Sequence, residues 1–355
     1  MTGNYFANRL YRLPAFIARE IEQLLATCGL TLEDGVSQFI EVRQAGLLVA
    51  CAGLSGNIIK CVAISPAHRG QALSQLLLTE VMKMAFQQGN HHLFVYTRPE
   101  NIPAFSGCGF TPLVTVPQQV TLMENSATRL RQYCDSLAQY RHSGDITGGI
   151  VLNANPFTLG HRYLIEQAAA CCDWLHVFVV KEDAARFPFP DRLALIQAGV
   201  ADIVNVTVHP GSDYIISKVT FPAYFLKNRG IIDECHTALD LMLFRHHIAP
   251  ALGINCRFVG SEPFDAVTAK YNQDMRYWLS LENTEVPAIR TVEIPRKEIS
   301  GIPVSASRVR TLLDKGMFDA LRELVPDTTF RYLLRHSSTP LPAYSVQEVT
   351  PCLKQ

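Results

Sequence analysis

Residues 148–161 read GGIVLNANPFTLGH, an apolar run that ends in a short loop and a histidine. The run has the continuous apolar character of a buried strand, and helical spacing follows it in HRYLIEQAAAC. The alternation repeats in WLHVFVV, PDRLALIQAGVA and VTVHP. Such strands, separated by helices of about a dozen residues, predict a parallel sheet that is covered on both faces. This half of the chain is therefore predicted to be α/β.

The loop between the first strand and its helix is the predicted ligand site, because open parallel sheets bind ligands beyond the carboxyl ends of their strands. The helix start offers unpaired N–H groups and a positive dipole end, which suit a phosphate. Gly160 lets the chain approach a ligand closely. Thr158 can donate a hydrogen bond, and His161 can place an imidazole N–H on an oxygen that gains charge. Alternatively, Thr158 caps the helix and His161 is a solvated first-turn residue.

A second motif, PVSASRVR at 303–310, stands far downstream and precedes another predicted helix. Ser305 and Ser307 offer hydroxyls and a helix cap, while Arg308 and Arg310 supply guanidinium groups for phosphate oxygens. Capping alone accounts for the serines, but it does not account for the whole pattern. We therefore expect the two motifs to meet around bound phosphate.

Together the two motifs resemble the TxGH and ISxSxxR signatures of the cytidylyltransferase-like nucleotidyltransferase superfamily, which has a Rossmann-like parallel sheet. The resemblance implies that Thr158 and His161 contact the phosphates and stabilise the pentacovalent transition state, and that Ser307 and Arg310 hold the β and γ phosphates. It implies further ATP-binding roles for Asn155, Phe157, Gly160, Lys181, Arg192, Gly260, Glu262 and Ser305. Of these, Gly260 and Glu262 stand where relatives contact the adenine and ribose, and Lys181 and Arg192 where relatives carry a basic residue for the phosphates or the second substrate. For the last two, a surface salt bridge with Glu182 or Asp191 is the alternative.

The first third of the chain reads as a helix, a strand meander, a second helix and further strands. The segment VAISPAHRGQALSQLLLTEVM at 62–82 resembles the strand, turn and helix of GNAT-type acetyltransferases. The resemblance implies an α+β domain in which Arg69, Gly70, Ala72 and Ser74 lie where backbone amides hold a coenzyme A pyrophosphate. Ala72 and Ser74 replace the glycines usual in that family, so we expect binding of a coenzyme-A-like arm rather than acetyl transfer. Possible acid/base groups are Glu41, Tyr96 and Cys108.

These patterns predict four regions. A GNAT-like domain spans 1–128, a connecting helix and linker span 129–146, a nucleotidyltransferase domain spans 147–336, and an extended tail spans 337–355. The boundary falls in HSGDITGG, where three glycines break the periodicity.

Over its whole length the chain resembles the family of [citrate (pro-3S)-lyase] ligases. The resemblance implies ATP and Mg²⁺ as cofactors, with no metal ligands from protein side chains. It also implies acetate and the citrate lyase acyl carrier subunit, with its phosphoribosyl-dephospho-coenzyme A arm, as partners. Acetyl-adenylate would form first, and its acetyl group would then pass to the arm thiol. Two alternatives stay open: an adenylyltransferase of cofactor synthesis, and a non-catalytic regulator that responds to nucleotide or acyl-coenzyme A.

The composition is that of a globular protein, since 48% of the 355 residues are hydrophobic and 32 basic side chains balance 32 acidic ones. This balance gives no bulk attraction for nucleic acid or acidic lipid. The longest nearly uncharged apolar stretch, 45–54, is well short of the about 20 residues that cross a bilayer. Charges near the start stand where a signal peptide would be apolar. We therefore expect a cytoplasmic protein with no nucleic-acid or membrane partner.

Overall fold

The computed structural model describes residues 5–33, 35–70, 73–181, 185–217, 219–220, 234–262, 266–282 and 285–336. Contacts within the chain divide it into two compact units. The first unit comprises Met1–Arg141, Asp213–Gly253 and Gln273–Ala288, and the second comprises His142–Ser212, Ile254–Asn272 and Ile289–Gln355.

The strands, in chain order, are β1 (Tyr5–Leu10), β2 (Gln38–Gln44), β3 (Leu47–Ser55), β4 (Ile58–Ile64), β5 (Phe94–Thr97), β6 (Thr111–Val116), β7 (Val120–Glu124), β8 (Thr147–Leu152), β9 (Trp174–Val179), β10 (Val206–Pro210), β11 (Cys256–Gly260), β12 (Arg290–Ile294), β13 (Glu298–Ile299) and β14 (Ile302–Pro303). The helices are α1 (Ala15–Thr27), α2 (Leu73–Gln87), α3 (Ile102–Ser106), α4 (Arg129–Ala138), α5 (Leu159–Ala169), α6 (Phe189–Gly199), α7 (Glu234–Leu243), α8 (Ala249–Leu252), α9 (Ala266–Ser280), α10 (Ala306–Asp314), α11 (Phe318–Arg322) and α12 (Asp327–Arg335). A π-helical turn at Phe244–Ile248 joins α7 to α8.

The first unit is built on a sheet with the strand order β1-β2-β3-β4-β5-β7-β6. Successive residues of a strand point to opposite faces, so Phe39 packs on the α1 face while Ile40 packs on the α2 face. Helix α1 buries Ile21 and Leu25, one turn apart, against the first of these faces. The α+β architecture predicted for this part of the chain is confirmed.

Strands β4 and β5 are the parallel pair in this sheet, and they stay together only briefly. Their register contains Ile58 opposite Phe94 and Ile59 opposite Val95, after which both strands continue without pairing to each other. Cys61 in β4 has a φ of 52°, and the β3–β4 register shifts nearby. The two strands therefore diverge toward their carboxyl ends.

The second unit contains a five-stranded sheet in the order β10-β9-β8-β11-β12, and all its neighbouring strands are parallel. Its core joins the sheet to α5 and α6 through residues such as Ile150, Val177, Ile165 and Ile196. The parallel α/β sheet expected from the sequence is confirmed, and β8 occupies its centre. The loop after β8 thus lies at the middle of the carboxyl edge, flanked by the loops that follow β9 and β11.

Two later segments of the chain, Asp213–Gly253 and Gln273–Ala288, belong to the first unit, not to the second. The Tyr214 hydroxyl donates to Glu124 at the end of β7 (2.7 Å), and Cys134 in α4 lies 3.5 Å from the His247 carbonyl oxygen. Arg245 ties the two segments together, because its guanidinium donates to the carbonyl oxygens of Trp278, Leu281, Val286 and Pro287.

Within the predicted domain over 147–336, the contacts place 213–253 and 273–288 in the first unit. Helical periodicity shows that α7 has an apolar face, but it does not show which sheet covers that face. The predicted connecting helix is observed as α4, inside the first unit. The predicted tail, 337–355, lies outside the described residues. In the described part of the chain, no helix is both long and apolar enough to span a bilayer.

Candidate active site

The amino end of α5 forms the centre of the candidate site. Thr158 is the N-cap residue, and its hydroxyl oxygen accepts from the backbone N–H of His161 (3.3 Å). In return, His161 Nδ1 accepts from the backbone N–H of Thr158 (3.1 Å) and lies 2.9 Å from Thr158 Oγ1. This reciprocal capping box fixes both side chains relative to the first helical turn. The capping that the sequence offered as an alternative role for Thr158 is therefore present.

The tautomer of His161 follows from this box. Because Nδ1 accepts the Thr158 N–H, the ring proton of a neutral imidazole must sit on Nε2. Burial, followed by the positive charge of Arg296, lowers the pKa of His161 to about 4. At neutral pH the residue is thus an uncharged imidazole with one donor, Nε2–H.

The downstream motif lies directly against this helix start. A Cβ on Gly160 would stand 3.0 Å from the carbonyl oxygen of Val304, so a larger residue would disturb the contact. Arg310 in α10 donates from Nη1 to the carbonyl oxygen of Asn155 (2.6 Å). The structure thus brings the histidine loop and the distant arginine together, as the sequence predicted that they would meet.

The remaining members of the two motifs have different environments. Ser305 caps α10, accepting from the Arg308 N–H (3.2 Å), whereas Ser307 is exposed in the first helical turn. Asn155 Oδ1 accepts from the Phe187 N–H (3.2 Å). Phe157 is fully buried, and its ring lies nearly parallel to that of His161 at 6.0 Å. Phe157 therefore packs beside the His161 ring. Ser307, in contrast, is accessible to a ligand from solvent.

Arg192 differs from its predicted role. Its side chain is fully buried, and its guanidinium donates to the carbonyl oxygens of Asn153 (2.7 Å), Val180 (2.9 Å) and Phe187 (3.0 Å). These bonds join the loops after β8 and β9, so Arg192 shapes the site from inside and is not placed to contact phosphate. Its sequence neighbour Asp191 accepts instead from the Tyr332 hydroxyl, while Glu182 lies outside the described residues.

Lys181 is exposed just beyond the carboxyl end of β9. Arg186, further along the same loop, forms an ion pair with Asp314 of α10 (2.6 Å). Burial, together with the charge of Arg186, lowers the pKa of Arg310, although a guanidinium remains charged at neutral pH. This side of the site is thus cationic.

The loop after β11 carries Gly260 and Glu262. The Gly260 carbonyl oxygen accepts from Asn272 (3.0 Å), and the Glu262 carboxylate forms an ion pair with Arg296. Sequence reasoning missed Arg296. The signal was present, because the basic pair at 296–297 directly follows the apolar end of β12, at the same edge of the sheet as the histidine loop.

The predicted arm-binding residues of the first unit lie between β4 and α2. Arg69 and Gly70 are exposed, Gly70 has a φ of 78°, and Ser74 is half-buried in the first turn of α2. Ala72 lies outside the described residues.

The three possible acid/base groups are not brought together. Glu41 is buried and paired with Arg43 (2.9 Å), Tyr96 lies edge-on against His236, and burial raises the pKa of Cys108. Glu41 is therefore committed to a structural ion pair.

A parallel sheet with a capped TxGH loop at its central strand, beside a serine- and arginine-bearing helix start, defines the second unit as nucleotidyltransferase-like. The family model described as "Citrate lyase ligase C-terminal domain" matches residues 147–333, and that described as "Acetyltransferase (GNAT) family" matches residues 5–110. The chain belongs to the citrate lyase ligase family and is an enzyme of that family.

Relatives cover almost the whole chain. The [citrate [pro-3S]-lyase] ligase of Escherichia coli (strain K12) is 52% identical over 340 residues, which are 95% of this chain and 97% of that protein. The ligase of the same name from Klebsiella pneumoniae is 48% identical over 315 residues, or 89% and 92% of the two chains. The phosphopantetheine adenylyltransferase of Staphylococcus carnosus is 44% identical over 57 residues, 16% of this chain and 35% of that protein. The full-length matches therefore favour the ligases over the cofactor adenylyltransferases.

Proposed function

We propose that the chain is an AMP-forming acid–thiol ligase that acetylates the acyl carrier subunit of citrate lyase. In the first step, an acetate oxygen bonds to the α-phosphorus of ATP, and the bond to pyrophosphate breaks. In the second step, the thiolate of the carrier's phosphoribosyl-dephospho-coenzyme A arm attacks the acyl carbon. AMP leaves, and the thioester activates the lyase. The names of the full-length relatives support citrate lyase as the protein substrate.

One observation carries the nucleotide part of the proposal: the convergence of the histidine loop with Arg310 at the amino end of α5. A neutral imidazole donor and a guanidinium then lie beside this helix start. Such a set suits a polyphosphate, because every member is a donor and the helix dipole adds positive potential.

The role of His161 follows from its protonation state. Carboxylic acids of ordinary pKa, about 4, are ionised at neutral pH, so acetate needs no general base. His161 therefore acts as a preorganised hydrogen-bond donor through Nε2–H. It stabilises the negative charge that develops on the phosphoryl oxygens in the transition state.

Charge neutralisation is the main demand of the first step. Two unit negative charges about 4 Å apart repel by about 4 kcal/mol at an effective dielectric constant of 20. The cations that line the site, Lys181 and Arg310 among them, lower this repulsion. We expect Ser307, which is exposed in the first turn of α10, to donate to the same phosphates.

We expect Mg²⁺ to arrive with ATP, since the triphosphate supplies oxygen ligands of its own. Within the described ranges, no group of three His, Cys, Asp or Glu side chains could hold a metal ion. When bound, the ion neutralises phosphate charge and assists the departure of pyrophosphate.

The decisive experiment incubates the protein with ATP, Mg²⁺, acetate and the deacetylated lyase, and measures AMP. A ligase releases AMP only when all four components are present, and the carrier gains an acetyl thioester visible by intact mass. An adenylyltransferase of cofactor synthesis would instead form a dinucleotide from a phosphorylated acceptor without acetate. No AMP and no dinucleotide would favour the non-catalytic regulator.

We further propose that the first unit binds the coenzyme-A-like arm of the carrier. The short β4–β5 pairing supports this, because it ends at Ile59 and Val95, before the carboxyl ends of both strands, and β4 leads into the Arg69–Gly70 turn. Calorimetry with coenzyme A on the full chain tests it: we expect binding that weakens in Arg69→Ala, whereas identical affinity in both proteins would contradict this role for Arg69.

A further inference from the structure

Arg296 is a further cation near the candidate nucleotide site, and the proposed function does not use it. It lies two residues beyond β12, beside the loop that follows β11. Its backbone N–H donates to Ser261 Oγ (3.2 Å), and its Nε donates to the Ser261 carbonyl oxygen (2.7 Å). Its Nη2 forms the ion pair with Glu262. The guanidinium is therefore held by two successive residues of the neighbouring loop.

The segment that begins with Arg296 runs along the first turn of α5. Lys297 Nζ lies over the Tyr163 ring at 5.7 Å, and the Lys297 carbonyl oxygen accepts from the Val304 N–H (2.9 Å). Val304 lies close to Gly160, since a Cβ on Gly160 would stand 3.0 Å from the Val304 carbonyl oxygen. The charge of Arg296 reaches the imidazole as well, since it helps to lower the pKa of His161. The segment that begins with Arg296 thus lies beside the first turn of α5, where the phosphates are proposed to bind.

Glu262 has the opposite character. Its side chain is only 9% exposed, and its carboxylate is engaged with Arg296. The resemblance to nucleotidyltransferases implied a contact of this acid with the adenine or ribose. A carboxylate that is buried beside a guanidinium instead restricts the rotamers of a long, flexible cation.

We propose that Arg296 contacts the phosphates of the bound nucleotide during adenylation, and that Glu262 is its positioning residue rather than a nucleotide ligand. This inference rests on the proposed function, because it assigns the two residues to the ATP-consuming step. The pair gives the site a cation on the side of β12, in addition to the cations on the side of β9. Cations on both the β9 side and the β12 side thereby stabilise the negative charge on the reacting phosphate.

The test measures acetate-dependent exchange of labelled pyrophosphate into ATP with the full chain. The variants are Arg296→Gln, Glu262→Gln, the double variant and Arg296→Lys. Lys297→Gln is the matched control, because it removes the adjacent positive charge. We expect kcat/KM for ATP to fall about a hundredfold in Arg296→Gln and about tenfold in Glu262→Gln. The double variant should match Arg296→Gln alone, and Arg296→Lys should retain part of the activity even if the glutamine variant folds poorly.

A comparison of ATP with 2′-deoxy-ATP separates the two roles of Glu262. A positioning residue leaves the preference between these nucleotides unchanged in Glu262→Gln, whereas a ribose ligand loses it. Loss of that preference, or losses that multiply in the double variant, would overturn the proposal for Glu262. Full activity in Arg296→Gln would overturn the proposal for Arg296.

A readout that does not depend on turnover is the titration of His161 by NMR. Removing the Arg296 charge should raise the His161 pKa above its value near 4, whereas Lys297→Gln should leave it less affected. An unmoved His161 in Arg296→Gln would show that the guanidinium lies too far away to act there. Absence of exchange in the unaltered protein would instead refute the proposed function, so the two failures are distinguishable.

Discussion

The two ring nitrogens of His161 have different functions, since Nδ1 accepts from the Thr158 N–H and Nε2–H is the proposed donor to phosphate. Two substitutions can separate these functions. In His161→Asn, the amide oxygen takes the place of Nδ1 and can still accept from the Thr158 N–H, which is now 3.1 Å from Nδ1. Nothing replaces Nε2–H. In His161→Gln, the amide nitrogen reaches the place of Nε2, but the acceptor for Thr158 is lost.

The magnitudes follow from these contacts. Losing one preorganised donor to a developing oxyanion costs about 3–4 kcal/mol, or about a hundredfold to a thousandfold in kcat. We therefore expect that loss in His161→Asn, with little change in the free energy of unfolding. His161→Gln should keep more activity, but it should lose about 1 kcal/mol of stability with the capping bond.

Acetate-dependent exchange of pyrophosphate into ATP measures the first quantity, and urea unfolding measures the second. Because the pKa of His161 is about 4, its titration should not appear in the pH dependence of kcat/KM between pH 6 and 8. Wild-type exchange rates in His161→Asn, or a rate limb near pH 6.5 that disappears with the imidazole, would refute the donor role.

Further predictions concern packing and stability. Gly160→Ala should raise the KM for ATP about tenfold, because the added Cβ would stand only 3.0 Å from the Val304 carbonyl oxygen. The control Gly107→Ala, whose added Cβ would have its nearest contact at 3.4 Å, should leave the KM unchanged. Equal KM values in the two variants would contradict this prediction. Arg192→Met should lower the free energy of unfolding by about 3 kcal/mol, because it strands buried carbonyl oxygens, whereas Arg331→Met on an exposed face should be neutral in denaturant titrations. Burial lowers the pKa of His176 to about 3 and that of His209 to about 4. Between pH 6.5 and 4, these two histidines are therefore protonated in the unfolded chain but neutral in the folded chain. As the pH decreases through this range, the free energy of unfolding should decrease by about 1.4 kcal/mol per pH unit for each group. In His209→Gln, urea unfolding should show a smaller decrease per pH unit. An unchanged decrease would show that His209 is not the titrating group.

The fold of the second unit was predictable because its signal is local. Strands β8 and β9 are each followed by a helix with its own cap or proline start, so the hydrophobic periodicity and the helix-start signals agree. The TxGH loop was equally readable, since a parallel strand that runs into a helix start fixes where its side chains must lie.

Other features depend on contacts between residues that are distant in sequence. The sequence around an arginine that follows a strand does not show whether its side chain faces solvent and a ligand or donates to buried carbonyl oxygens. Arg192 is an example of the second case. The pairing of Glu262 with Arg296 joins residues 34 positions apart, and no periodicity encodes it. The assignment of α7 to the first unit has the same origin, because it is decided by long-range packing.

The interleaving of the two units has a consequence for biosynthesis. The first unit receives its last segment, Gln273–Ala288, only after most of the parallel sheet has been translated. A chain that ends near residue 141 would therefore lack two of the three segments that form the first unit.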